Sequence, residues 1–142
     1  MISKKHRIKD YQRERVVNKI SSYLVERHKE IIAVYLFGSF NAAEAFSDID
    51  LAILADSPLD DPLFIEIDLE TELEKIVKYR VDVRILNKAP LSFCREVIRS
   101  GIVIVDRRPN LRADFQGKIL KQYSDFTPFR RRYLYEVVNA PI

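Results

Sequence analysis

The sequence holds one cysteine, three glycines, one methionine and no tryptophan in 142 residues. Cys94, expected inside a helix, has no second cysteine to pair with, which excludes a small secreted scaffold held by crosslinks and points to a reducing, cytoplasmic setting. No apolar run approaches the ~20 residues that cross a bilayer as a helix, so no membrane partner is expected. The basic opening MISKKHRIKDYQRER lacks the apolar segment that a signal peptide places behind its positive charge. Repeats and low-complexity tracts are missing too. These absences leave one compact domain over residues 1–142, long enough to bury roughly 70% of its unfolded surface.

The most informative absence is of positive charge. From Glu30 to Glu74 there is no Lys or Arg, while twelve Asp and Glu occur. The net charge of +3 therefore conceals three unlike stretches: residues 1–19 carry +5, residues 20–106 carry −7 and residues 107–142 carry +5. A solvated acidic face accounts for many of those carboxylates. A subset that converges could instead hold a metal ion, and that subset is where chemistry is to be sought.

Hydrophobic spacing divides the chain into alternating helices and strands. Val16, Val17, Ile20, Tyr23 and Leu24 form a 3.6-period stripe, predicting an N-terminal helix over about 7–28. Ile31–Phe37 reads as a buried strand and Asp48–Leu54 as a second. Asp61-Pro62 is a helix start, with Asp as N-cap and Pro in the first turn, predicting a helix to about Lys78. Arg80–Leu86 alternates apolar and charged residues as a half-buried strand does. Pro90 opens a helix carrying Leu91, Cys94, Val97 and Ile98 on one face and stopped by Gly101. Ile102–Val105 is a fourth short strand. The C-terminal extension, about 108–138, reads as two helices, Leu111–Tyr123 and, capped by Thr127-Pro128, Phe129–Val138. Strands separated by helices give an α/β (α+β) class: a small sheet flanked by helices.

Side chains alternate across a strand, so Asp48 and Asp50 project to one face while Ile49, Leu51 and Ile53 enter the core. Two neighbouring carboxylates repel each other unless a cation compensates them. An all-oxygen ligand set with no His or Cys nearby suits Mg²⁺, or Mn²⁺, rather than Zn²⁺. Asp82 lies on the outward phase of its own strand and completes a three-carboxylate cluster if the two strands are neighbours. Taken alone, Asp82 reads as an exposed residue paired with Arg80 or Arg84. Gly38-Ser39 directly follows a strand, where glycine admits close approach of a ligand and a helix start with a serine hydroxyl makes an anion site. A turn glycine with a capping serine is the plain alternative. The carboxylate pair nine residues beyond Ser39 is what gives the dipeptide its meaning.

Leu36-Phe37-Gly38-Ser39, Ser47-Asp48-Ile49-Asp50-Leu51, Val81-Asp82-Val83 and Leu86-Asn87-Lys88-Ala89-Pro90 together resemble the minimal nucleotidyltransferases of the DNA polymerase β superfamily. Within it, the likeness is to the MntA-type antitoxins encoded beside HEPN ribonuclease toxins. The resemblance implies the nucleotidyltransferase fold with a mixed sheet, ATP as substrate with Mg²⁺, and transfer of AMP to a tyrosine of the cognate HEPN-type toxin, neutralising it. By position it implies that Gly38 and Ser39 bind phosphates, that Asp48 and Asp50 hold both metals, and that Asp82 holds the metal nearest the attacking hydroxyl. The loop Phe40–Ser47 departs from the family pattern: it is two residues short and carries neither Gly nor Lys/Arg. Triphosphate charge would then be met by distant groups such as Lys78, Arg80 or Arg84.

Two other readings stand beside this one: a catalytically weak protein of the same family that silences a toxin by covering it, and a small-molecule nucleotidyltransferase, for whose helical substrate domain the residues after Asp106 are few. Neither His6 nor His28 follows an Arg at the HEPN spacing, so the chain does not read as the toxin itself. Arg130-Arg131-Arg132 with Phe129, Tyr133 and Tyr135 could touch nucleic acid, but such a run is more often the solvated side of a terminal helix. Direct nucleic-acid binding is therefore not expected.

Overall fold

The computed structural model describes residues 5–42, 45–56 and 61–139, with side chains described to Ser124 and that of Ala42 excepted. In chain order the elements are β1 (His6–Arg7), α1 (Asp10–Arg27), β2 (Ile31–Phe37), α2 (Ser39–Ala42), β3 (Ala45–Phe46), β4 (Asp48–Ala55), α3 (Pro62–Val77), β5 (Arg80–Ile85), α4 (Leu91–Ser100), β6 (Ile102–Asp106) and α5 (Pro109–Asn139). Four strands form one sheet in the order β5-β4-β2-β6. Strand β2 is antiparallel to both neighbours, and β4 runs parallel to β5. This is the expected mixed sheet. A parallel pair needs a crossover, which α3 supplies.

Alternation along the strands gives the sheet two buried faces. Val34, Leu36, Ile49, Leu51, Ile53, Val81, Val83 and Ile85 pack with Val16, Ile20 and Leu24 of α1 and Leu69, Leu73 and Val77 of α3. Ala33, Tyr35, Ala52 and Leu54 pack on the opposite side with Cys94 and Val97 of α4 and Ile119 of α5. The result is helices on both sides of a sheet. Leu51 is completely buried, so Leu51→Ala would cost about 2–5 kcal/mol.

Local signals act as expected at most element ends. The Asp61 side chain accepts the Phe64 N–H at 3.2 Å, and Pro62 occupies the first turn of α3. Gly101 ends α4, but not through a left-handed turn: its φ is −84°. Glycine is required there because a Cβ would stand 2.7 Å from the Val97 carbonyl and 3.2 Å from that of Leu36, where the end of α4 presses on β2. The left-handed cap belongs to Lys78 at the end of α3, φ 66°.

One expectation fails, and one pair of strands was not foreseen. The C-terminal region is one helix, α5, rather than two, and runs unbroken through Thr127-Pro128. Proline holds φ near the helical value, so as a local signal a helix start and an interior proline look alike. The side chains of Phe129, Arg130 to Arg132, Tyr133 and Tyr135 lie outside the described ones. Strands β1 and β3 form a separate two-stranded sheet, His6 opposite Phe46 and Arg7 opposite Ala45. Two-residue strands carry no periodicity by which a sequence could announce them.

Candidate active site

The first residue of β4 is Asp48, and the strand's burial alternates as its sequence requires: Ile49 and Leu51 are fully buried, Asp48 and Asp50 partly so. Asp50 lies opposite Phe37 on one side and Asp82 on the other, while Asp48 lies opposite Arg80. Residues paired across adjacent strands face the same way. Asp48, Asp50, Asp82 and Phe37 therefore share the face that α4 and α5 cover farther along. Strands β4 and β5 are neighbours, which sets Asp82 beside Asp50.

The electrostatics of the group are dominated by Asp50. Burial first, and then the charges of Asp82 and Asp48, push its carboxyl up to about 6, against a smaller opposing pull from Arg84. Asp48 Oδ1 is buried and accepts no hydrogen bond; Arg80 Nε stands 3.7 Å away, beyond hydrogen-bonding reach. Asp82 pairs loosely with Arg84 at 3.9 Å, so its plain reading as an exposed partner of an arginine holds alongside its place beside Asp50. Among the described residues no three Asp, Glu, His or Cys side chains converge closely enough to enclose an ion. Mg²⁺ does not require that, since it keeps waters and takes one or two carboxylates together with substrate phosphates. An orphaned Asp48 oxygen and a carboxyl kept high by burial and then by its like-charged neighbours are the donors a divalent cation would satisfy, so the residues fit such a group.

Gly38 joins β2 to α2 with φ 78°. A Cβ there would lie 2.1 Å from Asp50 Oδ2, so the glycine makes room for a carboxylate of its own chain. Ser39 opens the four-residue α2, and Asn41 N–H donates to the Gly38 carbonyl. The loop beyond is anchored by Phe40 and Phe46, both buried, whose rings meet edge to face at 4.7 Å. Arg13 of α1 stacks over both rings, 5.1 and 5.6 Å from their centroids, and donates to the Phe40 carbonyl. This arginine brings a cation to the loop that has none of its own. Sequence spacing could not find it, because it arrives from a helix about thirty residues upstream. Of the basic groups considered from sequence, Arg80 and Arg84 lie beside Asp48 and Asp82, while Lys78 caps α3.

A row of glutamates holds the Asp82 strand in place. Glu66, Glu70 and Glu74 accept the N–H groups of Ile85, Val83 and Val81 at 2.8, 2.8 and 3.1 Å. Four helical residues rise ~6 Å and two strand residues ~6.6 Å, so a helix antiparallel to a strand can match every second amide with every fourth side chain. Strand β5 is an edge, and this arrangement satisfies its outward donors. Burial raises the pKa of Glu70; the Val83 N–H opposes the shift and the neighbouring Asp82 adds to it.

A cavity of about 490 Å³ opens on the Asp82 side of the cluster. Asp82, Arg84, Phe37, Phe93 and Pro90 are among its walls, whereas Gly38, Ser39, Asp48 and Asp50 are not. The Phe37 and Phe93 rings meet edge to face at 5.7 Å.

The family model described as polymerase beta, nucleotidyltransferase matches residues 18–110. The chain is a nucleotidyltransferase of the polymerase β family. All five candidate site residues fall inside the matched region. Among solved structures, the nucleotidyltransferase is similar to the complex of a tri-AMPylated Shewanella oneidensis HEPN toxin with its MNT antitoxin, at 25% identity over 89% of this chain and 98% of that one, TM-score 0.71. It is similar to the MntA–HepT toxin–antitoxin at 25% identity over 88% and 98%, TM-score 0.69. A toxin–antitoxin structure with AMP-PNP matches at 26% identity over 86% and 98%, TM-score 0.71. No curated protein matches the chain. Among its described residues no helix is long and apolar enough to cross a membrane.

Proposed function

We propose that this nucleotidyltransferase is the antitoxin of a HEPN/MNT pair, acts in the prokaryotic cytoplasm, and transfers AMP from ATP to a tyrosine of its HEPN partner, neutralising it. The observation that carries the reading is the register Asp50 opposite Asp82, with Asp48 two residues away and Gly38 against Asp50. Its likeness to an AMPylated toxin complex and to a complex with an ATP analogue supports protein as acceptor and ATP as donor.

Asp48, Asp50 and Asp82 are the residues that would hold Mg²⁺ or Mn²⁺, which when bound lowers the pKa of the attacking hydroxyl and screens the triphosphate. Gly38 and Ser39 are assigned to the phosphates. In this reading a bond forms between the tyrosine oxygen and the α-phosphorus, the bond from that phosphorus to the bridging oxygen breaks, pyrophosphate leaves, and the phenolic proton passes to solvent beside Asp82. Displacement at phosphorus is in line, so attacking and leaving oxygens stand on opposite sides. With pyrophosphate toward Gly38-Ser39, the acceptor comes from the Asp82 side, where the cavity lies. Phe37, Phe93 and Pro90 give one part of its wall an apolar, aromatic lining suited to a phenol ring, beside the charged Glu66, Arg84 and Lys88.

The short loop Phe40–Ser47, without Gly or basic residues, favours a second reading, neutralisation by contact alone. The test is to mix the chain with ATP, Mg²⁺ and the HEPN protein encoded beside it, and to follow partner mass. Gains of one AMP or more, lost in Asp48→Asn/Asp50→Asn, are expected. An unmodified partner in a stable complex would favour contact alone.

A further inference from the structure

Helix α3 carries three different faces. Leu69, Leu73 and Val77 enter the core, and Glu66, Glu70 and Glu74 turn to β5. The third face meets solvent. In its later turns it carries Thr71 and Lys75, as a solvated helix face should. In its first two turns it carries Leu63, Phe64 and Ile67, which are 64, 66 and 53% exposed. Three large apolar side chains clustered on one end of an otherwise polar face mark a surface that gains by being covered.

Those same two turns reach the cavity, since Pro62 and Glu66 line it together with Asp82. We propose that Leu63, Phe64 and Ile67 are the seat on which the acceptor protein docks, holding its acceptor side chain at the cavity mouth. The inference rests on the function proposed above, because a protein acceptor must be gripped beyond the one residue that reacts, whereas a small acceptor is held by the cavity itself. The occupant is the HEPN partner and not a second copy of this chain: a copy seated beside the mouth would obstruct the entry that the acceptor needs. The three apolar residues lie between exposed Asp61 and Asp68, so the matching surface on the partner is apolar at its centre and carries no acidic group at its rim.

The experiment compares wild type, Phe64→Asp, Ile67→Asp and, as an exposed apolar control on α5, Leu120→Asp. Each is assayed for MgATP affinity by calorimetry, for self-association by sedimentation, and for binding to and AMP transfer onto the HEPN protein encoded beside it. An unchanged melting temperature and MgATP affinity, with partner Kd raised at least about tenfold by Phe64→Asp and Ile67→Asp and unmoved by Leu120→Asp, is the expected result. Wild-type partner affinity in the α3 variants would overturn the docking seat and leave the proposed function standing. A concentration-dependent wild-type dimer abolished by Phe64→Asp, with partner binding intact, would overturn the choice of occupant. A wild-type chain that neither binds nor modifies the HEPN protein would overturn both inferences together.

Discussion

Gly38 and Asp50 occupy each other's space: a methyl group on the one would sit 2.1 Å from a carboxylate oxygen of the other. Gly38 directly follows β2, which is antiparallel to the Asp50 strand, with Asp50 in register with Phe37 just before the glycine. The glycine is thus tied to the carboxylate by sterics before any phosphate is considered. Gly38→Ala meets two penalties, a left-handed φ that costs an L-residue about 1–2 kcal/mol and a clash that only movement of Asp50 relieves. The expected outcome is a folded protein with a lower melting temperature whose AMP transfer falls at least a hundredfold. Quantitative mass spectrometry of the partner beside a thermal melt checks both.

Much of this site could be read from the sequence, and the reason is local. Asp48 and Asp50 sit two apart on an apolar run, which fixes their common face wherever the strand is placed. Asp82 needed one further condition, that β5 lie beside β4, which no spacing within either segment specifies. The glutamate row was invisible for a related reason. Glu66, Glu70 and Glu74 look like the polar face of an amphipathic helix until β5 is found running antiparallel beside them. Arg13 is hidden in the same way, as one of seven basic residues in the first nineteen until Phe40 and Phe46 are seen beneath it. The joined C-terminal helix went unread because Thr127-Pro128 is the same signal in two contexts.

The edge-capping row makes a prediction about stability. Glu70→Ala leaves the Val83 N–H without its 2.8 Å acceptor in a part-buried position, and an unpaired amide of that kind costs about 1–3 kcal/mol. Glu70→Gln keeps an acceptor oxygen and removes a negative charge beside Asp82. Urea denaturation should therefore show Glu70→Ala clearly destabilised and Glu70→Gln close to wild type. Equal losses in both would show that the charge, not the amide's partner, is what matters.

Asp50 sets a pH dependence of defined sign. Its carboxyl is raised from 3.8 to about 6 in the folded chain, so between those values the folded state holds a proton that the unfolded state has released. The contribution is fully present below pH 3.8 and is lost as pH rises through about 6. In EDTA, the melting-temperature advantage of Asp50→Asn over wild type should be larger at pH 7.5 than at pH 4.5. An advantage independent of pH would mean that Asp50 is not held high by burial and its acidic neighbours.

Asp82 separates catalysis from neutralisation by contact. Removing one negative charge beside Asp50 and Glu70 relieves repulsion in the metal-free chain. The lost pairing with Arg84, at 3.9 Å between half-exposed side chains, is worth little. Asp82→Asn should therefore melt at or slightly above the wild-type temperature in EDTA. If Asp82 helps to activate the acceptor hydroxyl, AMP transfer falls by orders of magnitude. The variant should still bind its partner, because Asp82 is a wall residue of the cavity and the exposed α3 residues are untouched. Co-expression with the HEPN partner gives the readout that matters. Growth arrest with Asp82→Asn, despite normal complex formation, is the outcome an enzymatic antitoxin requires; full protection by the variant would assign neutralisation to contact and remove AMP transfer from the function.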